Sequence, residues 1–150
     1  MSSSGASDFT NYLTHFRERV EQTNWILVKE EFGSDDFKEI SVFFYEIKLI
    51  LDLMQSMLEV GEDPPSITIL GKKIINLNGV DLGESVQANV VNIRDTLEAG
   101  ISILEGIQTQ PFFPNFHKEI IVKIQKVVLH IDDLSRDLLA RFQSYEIVLI

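Results

Sequence analysis

The residues of this chain whose types could do chemistry are His15, His117 and His130, the pair Glu59 and Glu62, and Glu46 set among apolar neighbours. An imidazole titrates near neutral pH and serves as general acid, base or metal ligand. The three histidines stand far apart in sequence, and His130 falls on a polar helical stripe, so each reads as an ordinary surface or boundary residue. Glu59-x-x-Glu62 puts two carboxylates on one helical face, as a Mg-dependent helical hydrolase requires. Gly61 and Pro64 place that pair at a helix end, where solvated acidic residues are the plainer reading. Glu46 lies between Phe43, Phe44, Ile47 and Ile50, a position that favours reaching solvent or pairing with a base across a helix seam. The sequence has no Gly-rich phosphate loop, no H-E-x-x-H, no EF-hand loop, no G-x-S-x-G, and no Glu-x-x-His pair of the kind that holds metals in bundles. No catalytic residue, metal site or cofactor is therefore expected.

What must position these side chains is one domain. With 150 residues, 45% apolar and 24% charged, the chain has the composition of an ordinary globular domain with its own core. Its lack of cysteine excludes a disulfide framework and a thiolate nucleophile, and suits a reducing compartment. Residues 1–7 read as a disordered polar tail without a basic or apolar signal segment, and residues 8–150 as the domain. No uncharged apolar run reaches the roughly 18 residues of a membrane span, so neither membrane insertion nor secretion is expected and the cytoplasm is the expected location. The net charge of −10 argues against nucleic acid as partner, since phosphate binding uses a basic patch. Residues 33–65 alone carry −6. Asp35, Asp36, Glu39, Glu59, Glu62 and Asp63 cluster in that stretch and serve solubility and helix capping, dock a basic partner, or mimic nucleic acid.

Hydrophobic periodicity predicts four helices. Phe9, Leu13, Phe16, Val20, Thr23 and Leu27 recur at three- and four-residue steps over about 8–31, with Ser7 as N-cap. A second helix over about 35–60 opens at Ser34 and carries Ile40, Phe44, Ile47, Leu51, Met54 and Leu58, with Phe43, Leu49, Ile50, Leu53 and Met57 beside them. Its polar residues form one narrow stripe, Ser41, Lys48, Asp52, Gln55 and Glu59, with Lys48 and Asp52 spaced as an ion pair. A helix this apolar is expected to be covered on most sides, by its neighbours and by a partner chain at Leu49. The third helix, about 84–107, shows Val86, Val90, Ile93, Leu97, Ile101, Leu104 and Ile107, with Gly100 allowing a close approach. The fourth, from about 115, repeats Ile120, Ile124, Val127, Ile131, Leu134 and Leu138 as a coiled-coil-like seam.

Two stretches read differently. Residues 67–77 predict a hairpin with the turn Gly71-Lys72-Lys73, which sets Ile67 opposite Leu77 and Ile69 opposite Ile75 on one apolar face. Such a hairpin is marginal alone, so it caps its own helical core or meets a partner. The apolar end Ile147-Val148-Leu149-Ile150 continues the fourth helix, adds a strand to the hairpin within or between chains, or offers a free peptide to a partner.

These expectations combine into a mainly α fold, an up-down-up-down four-helix bundle with a β-hairpin between the second and third helices. The expected function is a non-enzymatic, self-associating protein interaction module of adaptor or regulatory type. Two other readings are a bundle enclosing an apolar ligand beside Phe43, Phe44 and Met54, and the Glu59/Glu62 hydrolase.

Overall fold

The structure is a computed structural model that describes residues 4–29, 33–61, 67–75, 79–107, 114–143 and 148–149. Four helices, α1 (Ser4–Leu27), α2 (Ser34–Ser56), α3 (Gly83–Ile107) and α4 (Pro114–Gln143), form the bundle. α1 packs on α2 and α4, and α3 packs on the same two, so α2 and α4 hold opposite corners.

The apolar rows explain this arrangement. Phe9, Leu13, Phe16, Val20 and Leu27 of α1 are all buried, and so is Thr23, whose hydroxyl donates to the Arg19 carbonyl at 2.8 Å. That bond satisfies the hydroxyl inside an apolar core. All seven expected positions of α3, Val86 to Ile107, are buried as well. In α4 the row departs from the expected seam: Ile120, Ile124, Val128, Ile131, Ser135 and Leu138 are buried, while Val127 and Leu134 lie at its edge.

Helix ends differ from expectation in instructive ways. α1 begins at Ser4, before the expected Ser7 cap, so residues 4–7 are helical backbone, and it stops at Leu27 rather than near Glu31. The N-cap of α2 is Gly33, not Ser34. Glycine has no side chain to offer there, and the Asp36 carboxylate instead accepts the Gly33 N–H at 2.8 Å. α4 starts on Pro114, which suits the first helical position because proline lacks the N–H that would go unpaired.

The largest correction lies after Ser56. α2 ends there, four residues short of the expected Val60, and Leu58–Val60 is a strand, β1. It pairs antiparallel with β2 (Ile67–Ile69), which pairs with β3 (Lys72–Ile75). A two-stranded hairpin gains from a third strand, and the β-branched Val60 suits that role better than a last helical turn. The C-terminal β4 (Val148–Leu149) adds to the other edge, Ile74 opposite Leu149 and Ile75 opposite Val148. The strand reading of the C-terminal segment therefore holds, within one chain, in place of a continued helix.

The hairpin register also differs. Thr68 faces Lys73 and Ile69 faces Lys72, so the turn is Leu70-Gly71 and not Gly71-Lys72-Lys73. Both turn residues have positive φ, 49° and 78°. That is the mirror-image turn whose twist matches paired strands. The shift changes which side chains share a face. Ile74, not Ile75, joins Ile67 and Ile69 as a buried residue, and Ile75 is half-buried. Leu77 lies outside the described residues. Leu70, about half exposed, holds a left-handed conformation that costs a β-carbon-bearing residue about 1–2 kcal/mol. Leu70→Asn is accordingly expected to raise stability by about 1 kcal/mol in equilibrium urea unfolding, since Asn-Gly is the preferred pair for this turn.

Candidate interaction surface

The orientation of α2 sets up the surface. Its inward row of Phe37, Ile40, Phe44, Ile47, Leu51 and Met54 is buried. The narrow polar stripe does not face solvent as a whole. Ser41 is buried, and Asp52 and Gln55 meet Arg94 of α3, which donates from Nε to Gln55 Oε1 at 2.5 Å and pairs with the Asp52 carboxylate. Arg94 thus replaces Lys48 as the expected partner of Asp52. Beside these polar positions a second apolar stripe is turned outward. Val42 (54% exposed), Tyr45 (47%), Leu49 (64%) and Leu53 (43%) follow one another at steps of three and four residues.

Polar pairs flank this ridge on both sides. Toward α1, Arg19 Nε sits 2.9 Å from Glu46 Oε2 as an ion pair without hydrogen-bond geometry, and its guanidinium lies 5.8 Å from the Phe43 ring centre. Glu46 therefore pairs with a base across a seam, as its setting suggested. Toward α3, the Tyr45 hydroxyl donates to Glu105 at 2.7 Å, and that carboxylate raises the phenol's pKa above its ordinary value. An apolar centre with a rim of polar and charged groups is the anatomy of a protein interface.

The other candidate residues separate. Glu39 is exposed on α2. Glu59 is exposed on β1 opposite Thr68, so the helical spacing that would pair it with Glu62 does not exist, and Glu62 lies outside the described residues. Ile67 and Ile69 are buried on the sheet, which packs on α3, and are not surface residues. Val148 and Leu149 pair with β3, while Ile147 and Ile150 lie outside the described residues. His15 is exposed beside Glu18 at 3.6 Å, His130 is exposed, and the His117 side chain is outside the described ones. Among the described residues no group of three or more His, Asp and Glu side chains could hold a metal ion. No helix among them is long and apolar enough to cross a membrane.

Asp36 acts within its own chain. Its pKa is held below the ordinary carboxylate value chiefly by the Gly33 N–H; burial opposes this, and the Lys29 ammonium at 3.0 Å adds to the lowering. The lowered value means that its contribution is present above the usual carboxylate pKa of about 4 and is lost as pH falls through the folded value. Asp36→Asn is expected to lower stability by about 0.5–1 kcal/mol at pH 7. Urea unfolding of both proteins should show that gap closing toward pH 2.

A second surface, between α1 and α4, was not evident in the sequence. Arg17 donates to the buried Ser135 hydroxyl at 3.0 Å and lies 3.6 Å from Asp132, which also pairs with Arg136 at 2.9 Å. Beside this cluster Trp25 stands exposed on α1 and Val28 just past its end, and Val122 and Leu129 stand exposed on α4. The signal that could have revealed both surfaces is a second heptad, Val42 to Leu49 and Val122 to Leu129, running beside the buried rows. Comparison with protein-family models, with curated proteins and with solved structures finds no match for this chain.

Proposed function

We propose that this chain is a non-enzymatic protein interaction module, of adaptor or regulatory type, that associates with further copies of itself through the outer face of α2. The observation that carries this reading is the exposed stripe Val42, Tyr45, Leu49 and Leu53. Single exposed apolar residues are common, but a contiguous stripe with a polar rim is the usual mark of an association surface. An amphipathic helix at the edge of a bundle normally turns its polar side to water. Here Asp52 and Gln55 of the polar stripe meet Arg94, with Asp52 still about half exposed, and the apolar stripe meets solvent as well, an arrangement that favours association.

Neither alternative reading gains from the geometry. Phe44 and Met54 are closed into the core, and a β-carbon placed on Gly100 would fall 2.6 Å from the Phe44 ring, so no ligand space opens at that point. The hydrolase reading loses the helical spacing of its two carboxylates. A cysteine-free, acidic chain fits a reducing compartment, and the cytoplasm is the location this reading assigns.

Leu49→Glu tests the proposal, because it places a charge at the centre of the stripe and disturbs no buried contact. Light scattering should give a wild-type mass that rises above 17.1 kDa with concentration, while the variant stays at that mass with unchanged helical circular dichroism. A wild-type protein that remains monomeric up to millimolar concentration would overturn it.

A further inference from the structure

The sheet leaves one edge open among the described residues. β1 is an outer strand, with β2 on one side and no described strand on the other. The Leu70 N–H donates to the Met57 carbonyl at 2.9 Å, so Leu58 and Ile69 oppose each other as a pair without mutual hydrogen bonds, and Val60 and Ile67 repeat that relation. The N–H and C=O groups of Leu58 and Val60 therefore point away from β2. Such groups along an edge are a template for one more strand.

The side chains decide which strand fits. Alternation puts Leu58, Val60, Ile67 and Ile69 on the sheet face that meets the bundle, and Glu59 and Thr68 on the other face. Ile67 and Ile69 are buried there, yet Val60 is 61% exposed, because the apolar face runs past the cover that α3 gives it. Between Val60 and α3 lies a groove of about 450 Å³, lined by Ala88 and the exposed Val91 among others. An added strand would set an apolar side chain beside Val60 and close that groove.

The charge at this edge has one sign. Glu84 is the one charged residue of the groove lining, whereas the α1–α4 groove sets two arginines against two carboxylates. Glu59 and Glu84 are both exposed, and neither has an ion-pair partner among the described residues. Residues 58–66 and 84–92 contain no lysine or arginine. A strand that places apolar side chains inward and basic ones outward, next to Glu59, satisfies both faces.

We propose that the β1 edge binds an extended segment of a partner protein in which apolar residues alternate with lysine or arginine. Its main chain pairs with Leu58 and Val60, its apolar side chains fill the groove beside Val60 and Val91, and its basic side chains lie against Glu59. This site is separate from the α2 ridge and does not depend on self-association.

Titration calorimetry with the capped peptide Val-Lys-Val-Lys-Val-Lys-Val tests it against a capped peptide of the same composition with its four valines and three lysines grouped. The alternating peptide should bind at one per chain, less tightly as salt rises, and at least about tenfold more tightly than the grouped one, which keeps the charge and loses the apolar face. Amide exchange at Leu58 and Val60 should slow when it binds. Val91→Lys should bind it at least about tenfold more weakly with unchanged circular dichroism, since Val91 is exposed. Leu49→Glu should bind it as the wild type does. Equal binding of the two peptides would show a general attraction of a polycation to an acidic chain and overturn the proposal. So would unchanged exchange at Leu58 and Val60, full affinity in Val91→Lys, loss of binding in Leu49→Glu, or no binding up to millimolar peptide. None of these outcomes bears on whether the chain self-associates, which light scattering reads separately.

Discussion

Replacing Phe44 by alanine is expected to lower the stability of the bundle by about 4 kcal/mol, among the largest effects of any single truncation in this chain. Phe44 is 1% exposed, and its ring fills the space that the missing side chain of Gly100 leaves on α3. A β-carbon on Gly100 would lie 2.6 Å from Phe44 Cε2 and 2.8 Å from Val127 Cγ1. At this glycine three helices meet closely, with Phe44 of α2 on one side and Val127 of α4 on the other. Gly100→Ala should recover up to about 1 kcal/mol of helix propensity but lose about 1–3 kcal/mol to overpacking, for a net loss. Shortening the ring relieves that clash. Phe44→Leu combined with Gly100→Ala should therefore be more stable than the two single effects add up to, with a coupling of about 1 kcal/mol or more. Equilibrium urea unfolding of the four proteins in this cycle gives the coupling. Additive effects would show that ring and glycine do not share one space.

Gly100 was legible in the sequence as a point of close approach, and so were the buried rows of α1 and α3, because each is set by the periodicity of one helix. What depends on two helices was not legible. The row of α4 runs through Val128 and Ser135 rather than Val127 and Leu134. Leu134 is the more apolar choice, but Arg17 on α1 donates to Ser135, and that partner is invisible from α4 alone. The inward row of α2, Ile40, Phe44, Ile47, Leu51 and Met54, was legible from its own spacing, whereas the Arg94 contact with Asp52 and Gln55 was not, because it comes from α3. Leu49 was identified as an outer residue, whereas its companions Val42 and Tyr45 were not. The hairpin register turned on one residue, since a leucine in the left-handed region is what propensity argues against. Once Leu70 adopts that conformation, the turn shortens and Lys72 and Lys73 become strand.

Gly83→Ala is the second large effect expected, and it tests where the sheet is seated on the bundle. Gly83 opens α3 and is buried, and a β-carbon there would lie 2.2 Å from the Ile67 carbonyl oxygen and 3.0 Å from its carbonyl carbon. Those are backbone atoms of β2, so no rotamer change relieves the clash. The segment is held on other sides too: the Leu82 N–H donates to the Ile74 carbonyl at 2.8 Å, and the Gly83 N–H donates to Asp81 Oδ1 at 2.9 Å. Helix and sheet must therefore part, which weakens the packing of Ile67, Ile69 and Ile74. The expected loss is about 3 kcal/mol, the upper end for overpacking, or a melting temperature lower by roughly 6–12 °C for a chain of this size. Amide exchange should rise at Ile69 and Ile74 while the middle of α1 stays protected up to global unfolding. Gly106, exposed near the end of the same helix, is the control, since a β-carbon there meets nothing within 4 Å. Gly106→Ala should stabilise by up to about 1 kcal/mol through helix propensity. If Gly83→Ala instead behaves like Gly106→Ala, β2 does not rest on the first turn of α3, and the sheet is held by its strands and by Leu82 alone.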